Sequence, residues 1–261
     1  MLGLGNTTPQ MYSIAPVFVD DWSIQLNGTD ESIECDSAGN LVTGWSELHE
    51  EGSMSIWAKI NTTSSTGTIV RLHKDSNNFI AITYHASSNT TRATYKGDGG
   101  TTVAKSSEAV ENSGNFHHIV CTWNASGQIK IYIDGNLEQA KPNSGTVDTW
   151  DTTGGDIDSI SIGQNTQGSS FFSGKVNDFS LWMKEFTSGE VSLIYNNGKP
   201  NDVMCLGSLN PGFGELAAYY KFEDIYDTIG GFTATIRNHS QLYQANTATL
   251  INTPSYNTDV P

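Results

Sequence analysis

The stretch Phe116-His-His-Ile-Val-Cys-Thr-Trp123, Asn124-Ala-Ser-Gly127, Gln128-Ile-Lys-Ile-Tyr-Ile133 and Asp134-Gly135 decides the class of this fold. Ile119, Trp123, Ile131 and Ile133 sit at period-2 positions inside two runs rich in β-branched and aromatic residues, which suits half-buried strands. The runs are separated by Asn124 to Gly127, a turn composition. Asp134-Gly135 is the strongest short hairpin signal, because both central positions of a type I′ turn need positive φ.

The same punctuation extends in both directions. Trp22, Ile24 and Leu26 alternate with Ser23 and Gln25, and Met54, Ile56, Ala58 and Ile60 alternate with Ser55, Trp57 and Lys59. Ile69 to His73 and Phe79 to Tyr84 flank the turn residues 74–78, and Arg92 to Lys96 and Thr101 to Ala104 flank Gly97-Asp-Gly-Gly100. Ile157 to Ile162, Lys175 to Trp182 and Leu216 to Phe222 complete the clear strands, with Phe232 to Ile236 a further candidate. One segment departs from period 2. Thr187-Ser-Gly-Glu190 has capping-box spacing, and Val191, Ile194 and Tyr195 then share one helical face. A short helix is predicted over residues 188–197, closed by Gly198 as the C′ residue and by Pro200. Many antiparallel strands and one helix mean two packed sheets. The expected core is Leu26, Ile56, Ile69, Phe79, Ile82, Ile119, Trp123, Ile131, Ile133, Ile160, Ile162, Phe179, Leu181 and Tyr220.

Composition agrees. Of 261 residues, 13 are Lys or Arg and 28 are Asp or Glu, a net charge of −15. That excludes the basic footprint of a nucleic-acid binder. No run of about 18 apolar residues exists for a membrane helix. Charged residues are only 16% of the chain, so its polarity comes from Ser, Thr, Asn and Gly, the residues of turns. Cys35, Cys121 and Cys205 are too few and too odd in number for a disulfide framework; Cys121, inside a strand-like run, reads as a small buried apolar residue. No Lys or Arg precedes Lys59, so Met1 to Val19 lacks the positive n-region of a secretory signal.

Several of these segments, in this order, resemble the laminin-G-like, concanavalin A-like jelly-roll family. They are Trp22 to Asp30, Ser53 to Lys59, Phe116-His117-His118-Ile119-Val120, Ile131-Tyr132-Ile133-Asp134-Gly135, Ser161-Ile162-Gly163, Phe172 to Trp182 and Phe186 to Asn196. Leu216 to Glu223 resembles a further strand of that family. The resemblance implies an all-β, two-sheet antiparallel jelly-roll sandwich with one short helix. It divides the chain into residues 1–19, an N-terminal extension or attachment arm; 20–200, the jelly roll; and 201–261, a linker, a returning strand of the same sandwich and a polar C-terminal tail. Asn197-Gly-Lys-Pro200, then Leu216 to Phe222 and the ending Thr258-Asp-Val-Pro261, are similar to virion proteins of tailed marine phages. That narrower resemblance implies a virion surface protein, a capsid decoration, fibre or tail component. It would be a homo-oligomer held by other capsid or tail proteins, exposed outside the cell after release and not inserted in a membrane. The rival reading is a secreted cellular carbohydrate-binding or adhesion module.

Chemistry-bearing residues are sparse. Adjacent His117 and His118 point to opposite faces of a strand and read as structural. The family's glucanases carry the run E-x-D-x-x-E, which is missing here; Glu47/Glu50/Glu51, Asp156/Asp158 and Glu223/Asp224/Asp227 read as solvated loops, so no catalytic residue is assigned. The resemblance implies no required cofactor but a structural calcium between the loop after the first strand and the paired-acid strand. That carries onto Asp30 and Asp178, with Asn177 in place of the first acid of the pair. Loop aromatics Trp45, Trp150, Phe171 and Tyr226 are the candidate platforms for a glycan, whose apolar faces stack on rings.

Overall fold

A computed structural model describes residues 20–35, 48–61, 65–97, 100–106, 114–141, 157, 159–165, 168–203, 206, 216–222, 235–237 and 247–261. In chain order the strands are β1 (Ser23–Asn27), β2 (Ser32–Cys35), β3 (Gly52–Ile60), β4 (Gly67–His73), β5 (Phe79–His85), β6 (Thr90–Gly97), β7 (Gly100–Lys105), β8 (Phe116–Trp123), β9 (Ile129–Ile133), β10 (Asn136–Lys141), β11 (Ser159–Ile162) and β12 (Ser173–Trp182). Helix α1 (Ser188–Tyr195) follows, then β13 (Leu216–Tyr220), β14 (Thr235–Arg237), β15 (Thr247–Ile251) and β16 (Ser255–Asn257). Every strand pairing among the described residues is antiparallel. The first sheet runs β10-β9-β8-β3-β12-β1-β16, with β13 also on β12; the second runs β14-β15-β2-β11-β4-β5-β6-β7. This is the antiparallel two-sheet sandwich expected from the sequence. No helix among the described residues is long and apolar enough to cross a membrane.

The decisive hairpin forms as read. Asp134 (φ 49) and Gly135 (φ 79) take the two positive-φ positions between β9 and β10. Strand alternation then places Ile119, Cys121, Trp123, Ile129, Ile131 and Ile133 in one buried cluster with residues of the opposing sheet such as Ile69, Leu72, Ile80, Ile82 and Ile160. Burying each such side chain stabilises the fold by roughly 1.5–3 kcal/mol.

Strand β12 organises the first sheet. Its N-terminal half pairs with β1 and its C-terminal half with β13, both on one edge, while β3 runs along the other. Between the halves is a bulge, with Asp178 at φ 44. The extra residue resets the face: Val176 points into the core before it, Phe179 and Leu181 after it.

Four details depart from the sequence reading. Phe79 is not core. Ile80, Ile82 and Tyr84 take the inward positions, and Phe79 lies outside under the Arg71 guanidinium, 3.7 Å from its ring centroid. The helix stops at Tyr195, not Asn197, because Asn196 takes the left-handed cap (φ 48), a conformation Asn tolerates. Of the late candidate strand, the described part is Thr235–Arg237, one residue longer than expected at its end, and Phe232 to Ala234 lie outside the described residues. The polar C-terminal tail contains strands of both sheets, β15 on β2 and β16 on β1.

Helix α1 creates a second, smaller core on the outer face of the first sheet. Its capping box is complete, with Thr187 accepting from the Glu190 amide and Glu190 from that of Thr187. Val191 and Ile194 cover Val120, Tyr132, Trp182 and Tyr219, and Phe186 and Val203 fill the rim. The helix therefore covers one part of that face and ends over the next, which places Tyr195.

Candidate functional site

Four side chains form a row across the part of this outer face that the helix leaves open. The register is Gln25 opposite Lys175, Lys175 opposite Lys59, and Lys59 opposite Phe116. Trp57, two residues before Lys59 on β3, also points outward. Its ring lies 4.9 Å from that of His118 and 5.9 Å from that of Tyr195, the latter nearly parallel at 27°. Together with Lys59, Asn115, Phe116, Asp134 and the terminal residues Asp259 to Pro261, Trp57 and Tyr195 line a cavity of about 230 Å³. The half-buried Phe116 and Tyr195 rings, backed by Trp57 at 4% exposure, with a carboxylate, an amide and an ammonium at the rim, suit a small ligand that is apolar on its faces and hydroxylated at its edges.

The wall is stiff. Asp134 Oδ2 lies 2.7 Å from His117 Nδ1, and Asp134 Oδ1 accepts from the His118 amide at 2.9 Å. His118 is wholly buried, which pushes its pKa down to about 3, so the ring is neutral. Its Nε2 shares a 2.7 Å hydrogen bond with Ser55 Oγ. This resembles a nucleophile and its base, but Ser55 is 2% exposed and the Asp134 carboxylate serves His117 rather than the ring of His118. The constellation orders the wall and presents no reachable nucleophile. The Tyr195 hydroxyl has a raised pKa, from burial and then the Asp134 charge, and stays protonated as a donor.

A Cβ on Gly135 would sit 2.9 Å from Tyr195 Cδ1, and φ 79 disfavours any side chain there. Gly135→Ala is expected to cost about 1–2 kcal/mol and to tilt Tyr195 off Trp57. Near-ultraviolet circular dichroism with a denaturant titration checks both; an unchanged aromatic signal contradicts the contact.

The residues anticipated from sequence do not converge here. Trp45, Trp150 and Tyr226 lie outside the described residues. Phe171 is half-buried just before β12, and its carbonyl packs against Gly67 of the second sheet. Asp30 is exposed beyond the Asn27 end of β1, where its Oδ1 accepts from Asn27 Nδ2 at 2.8 Å. Asp178 is 6% exposed at the β12 bulge and accepts from the buried Tyr219 hydroxyl. Asn27 pairs with Ser173, so about five strand residues, roughly 15 Å, separate the two acids. Oxygens sharing one calcium lie within about 5 Å of each other, so the expected Asp30–Asp178 pair does not form one site. Among the described residues no group of three or more His, Cys, Asp or Glu could hold a metal ion. Cys35 and Cys121 are both buried, and burial pushes the Cys121 pKa up.

The sequence reading missed Trp57, Lys59, Phe116, Lys175 and Tyr195 as site residues. The one local signal was parity: Trp57 and Lys59 sit at outward positions of a strand whose inward positions were recognised.

Comparison with known proteins bears on the fold. The profile of the laminin-G-3 family, concanavalin A-like lectin/glucanases superfamily, matches residues 27–192. No curated protein sequence matches the chain. Among solved structures, a candidate carbohydrate-binding protein of Bacteroides ovatus aligns with TM-score 0.62 at 14% identity, over 92% of this chain and 60% of its own. A heptameric SAP-like pentraxin from Limulus polyphemus aligns with TM-score 0.49 at 17% identity, over 71% of this chain and 87% of its own. The botulinum neurotoxin serotype D binding domain aligns with TM-score 0.45 at 18% identity, over 67% of this chain and 45% of its own. This chain thus spans less than two thirds of the Bacteroides protein, and at such identities the likeness is one of fold. With the family profile covering most of the sandwich, the chain belongs to the laminin-G-3 family of the concanavalin A-like lectin/glucanases superfamily.

Proposed function

We propose that this domain is a non-enzymatic binding module on the surface of a virion, part of a capsid decoration, fibre or tail component, and that it holds carbohydrate without a cofactor. The observation that carries the binding role is the cavity of about 230 Å³ lined by Trp57, Phe116 and Tyr195 with Asn115 and Asp134 at its edge. It lies below the range of about 300–1,000 Å³ usual for ligand pockets, so it takes one sugar unit, not a chain. Such a site binds weakly alone, and repetition on an assembled particle raises avidity. The virion assignment rests on the motif order around Asn197 to Pro200 and Leu216 to Phe222, and on a charge of −15 that suits display away from a packaged genome.

Two measurements test it. A glycan array probed with multimerised protein should give hits that Tyr195→Ala weakens at least tenfold, with melting temperature little changed. An array without hits, or hits indifferent to Tyr195, overturns the binding site. Mass spectrometry of purified particles from an infected host should contain the chain; its absence overturns the virion assignment.

A further inference from the structure

The C-terminal strap crosses the same outer face and places one of its own carboxylates on the lysine row. Asp259 Oδ2 lies 2.8 Å from Lys59 Nζ and 2.5 Å from Lys175 Nζ. These lysines are register partners on β3 and β12, and like charges placed opposite each other repel unless an anion lies between them. Only 13 Lys and Arg occur in the whole chain, yet two meet at one oxygen. Beside them is a second cavity of about 250 Å³, lined by both lysines with Gln25, Ile60 and Gly174. One carboxylate leaves the pair with a surplus positive charge that faces this space.

We infer that Lys59 and Lys175 form a carboxylate-binding site for an acidic sugar, and that Asp259 is a tethered competitor occupying it. The inference rests on the carbohydrate reading above and names the ligand class: a saccharide bearing a uronic-type carboxylate. The acid group takes the place of the Asp259 carboxylate, and the sugar ring lies in the adjoining cavity. Tethering gives Asp259 an effective concentration on the order of millimolar, so the site answers only to dense or multivalent acidic glycans. The strap does not depend on that carboxylate for its path. Ser23 Oγ donates to the Asp259 carbonyl at 2.7 Å, the Asp259 amide donates to Asn257 Oδ1 at 2.9 Å, and β16 pairs with β1.

Calorimetric titration of the whole chain with a galacturonic acid trisaccharide, against the neutral galactose trisaccharide, is the test. Asp259→Ala is expected to bind the acidic probe at least tenfold more tightly than wild type, a gain well above any change for the neutral probe. Adding Lys175→Met to Asp259→Ala should abolish the gain. Asp259→Asn, which keeps the side-chain shape, should show the same preference if Asp259→Ala folds poorly. No gain in either variant, or an equal gain for both probes, overturns the inference. Neutral-sugar binding that Tyr195→Ala removes, with no acidic gain, sinks this site and leaves the aromatic pocket standing. An acidic gain with no neutral-sugar binding that Tyr195→Ala weakens supports this site and overturns the aromatic pocket.

Discussion

Trp123→Ala is expected to lower the unfolding free energy by about 3–5 kcal/mol, the usual cost of deleting a large buried aromatic side chain. Trp123 is wholly buried at the end of β8, within the main core. Its indole Nε1 donates to the Leu48 carbonyl at 2.7 Å, so truncation also leaves a buried acceptor unpaired, adding roughly 1 kcal/mol. The void cannot close easily. Gly52 is the register partner of Trp123, and a Cβ built there would overlap the indole and approach the Trp182 carbonyl to 2.9 Å. Glycine is needed at 52 because tryptophan fills the space at 123. Gly52→Ala should therefore be damaging in the wild type and much less so in the Trp123→Ala background, a coupling of at least about 1 kcal/mol. Urea denaturation of the four proteins of this cycle measures both quantities. A loss below about 1 kcal/mol for Trp123→Ala, or strict additivity, contradicts this account of the packing.

What was legible in the sequence was whatever neighbouring residues determine. Asp134-Gly135 named its own turn, Thr187 and Glu190 named their own cap, and alternation along β3, β8 and β9 named the inward residues. Phe79 was misplaced because Phe79-Ile80-Ala81-Ile82 is apolar at every position, so parity is hidden and only pairing with Lys96 and His73 settles it. Strands β15 and β16 are too short, at five and three residues, for their alternation to stand out; they are strands because β2 and β1 offer edges some two hundred residues earlier in the chain. The site was the least legible part for the same reason. Tyr195 meets Trp57, and Asp259 meets Lys59, only through the sandwich. The resemblance to the family carried the fold but directed attention to Asp30, beyond the end of β1, and Asp178, at the bulge of β12, which the register keeps apart.

Acidification from pH 7 to 5 is expected to remove about 2 kcal/mol of stability through His118 alone. In the folded protein this ring is fully buried and its pKa lies at about 3; in the unfolded chain it returns to 6.5. Below pH 6.5 the unfolded state therefore binds a proton that the folded state refuses. Stability is complete above 6.5, falls by up to about 1.4 kcal/mol per pH unit as the pH drops, and levels off near 3. The geometry explains the refusal. Nε2 is committed to Ser55, Nδ1 has no hydrogen-bond partner among the described residues, and the rings of Trp57 and Tyr195 flank the imidazole. Asp134 pulls the pKa upward, but less than burial lowers it. The carboxylates of Asp75, Glu190 and Asp259 are held below the ordinary carboxylate range by their hydrogen bonds and neighbouring lysines, so they leave this window alone. His85, lowered by burial and by Arg92 and Lys105, adds slope of the same sign. His118→Gln isolates the larger share: it keeps a donor for Ser55, starts less stable at pH 7, and should lose about 2 kcal/mol less than wild type on reaching pH 5. Parallel stability curves for the two proteins across that range would show that His118 is not the buried neutral group described here. Because the ring packs against Trp57 and stacks on Tyr195, the same titration should loosen the aromatic pocket, and sugar affinity should fall together with stability as the pH drops.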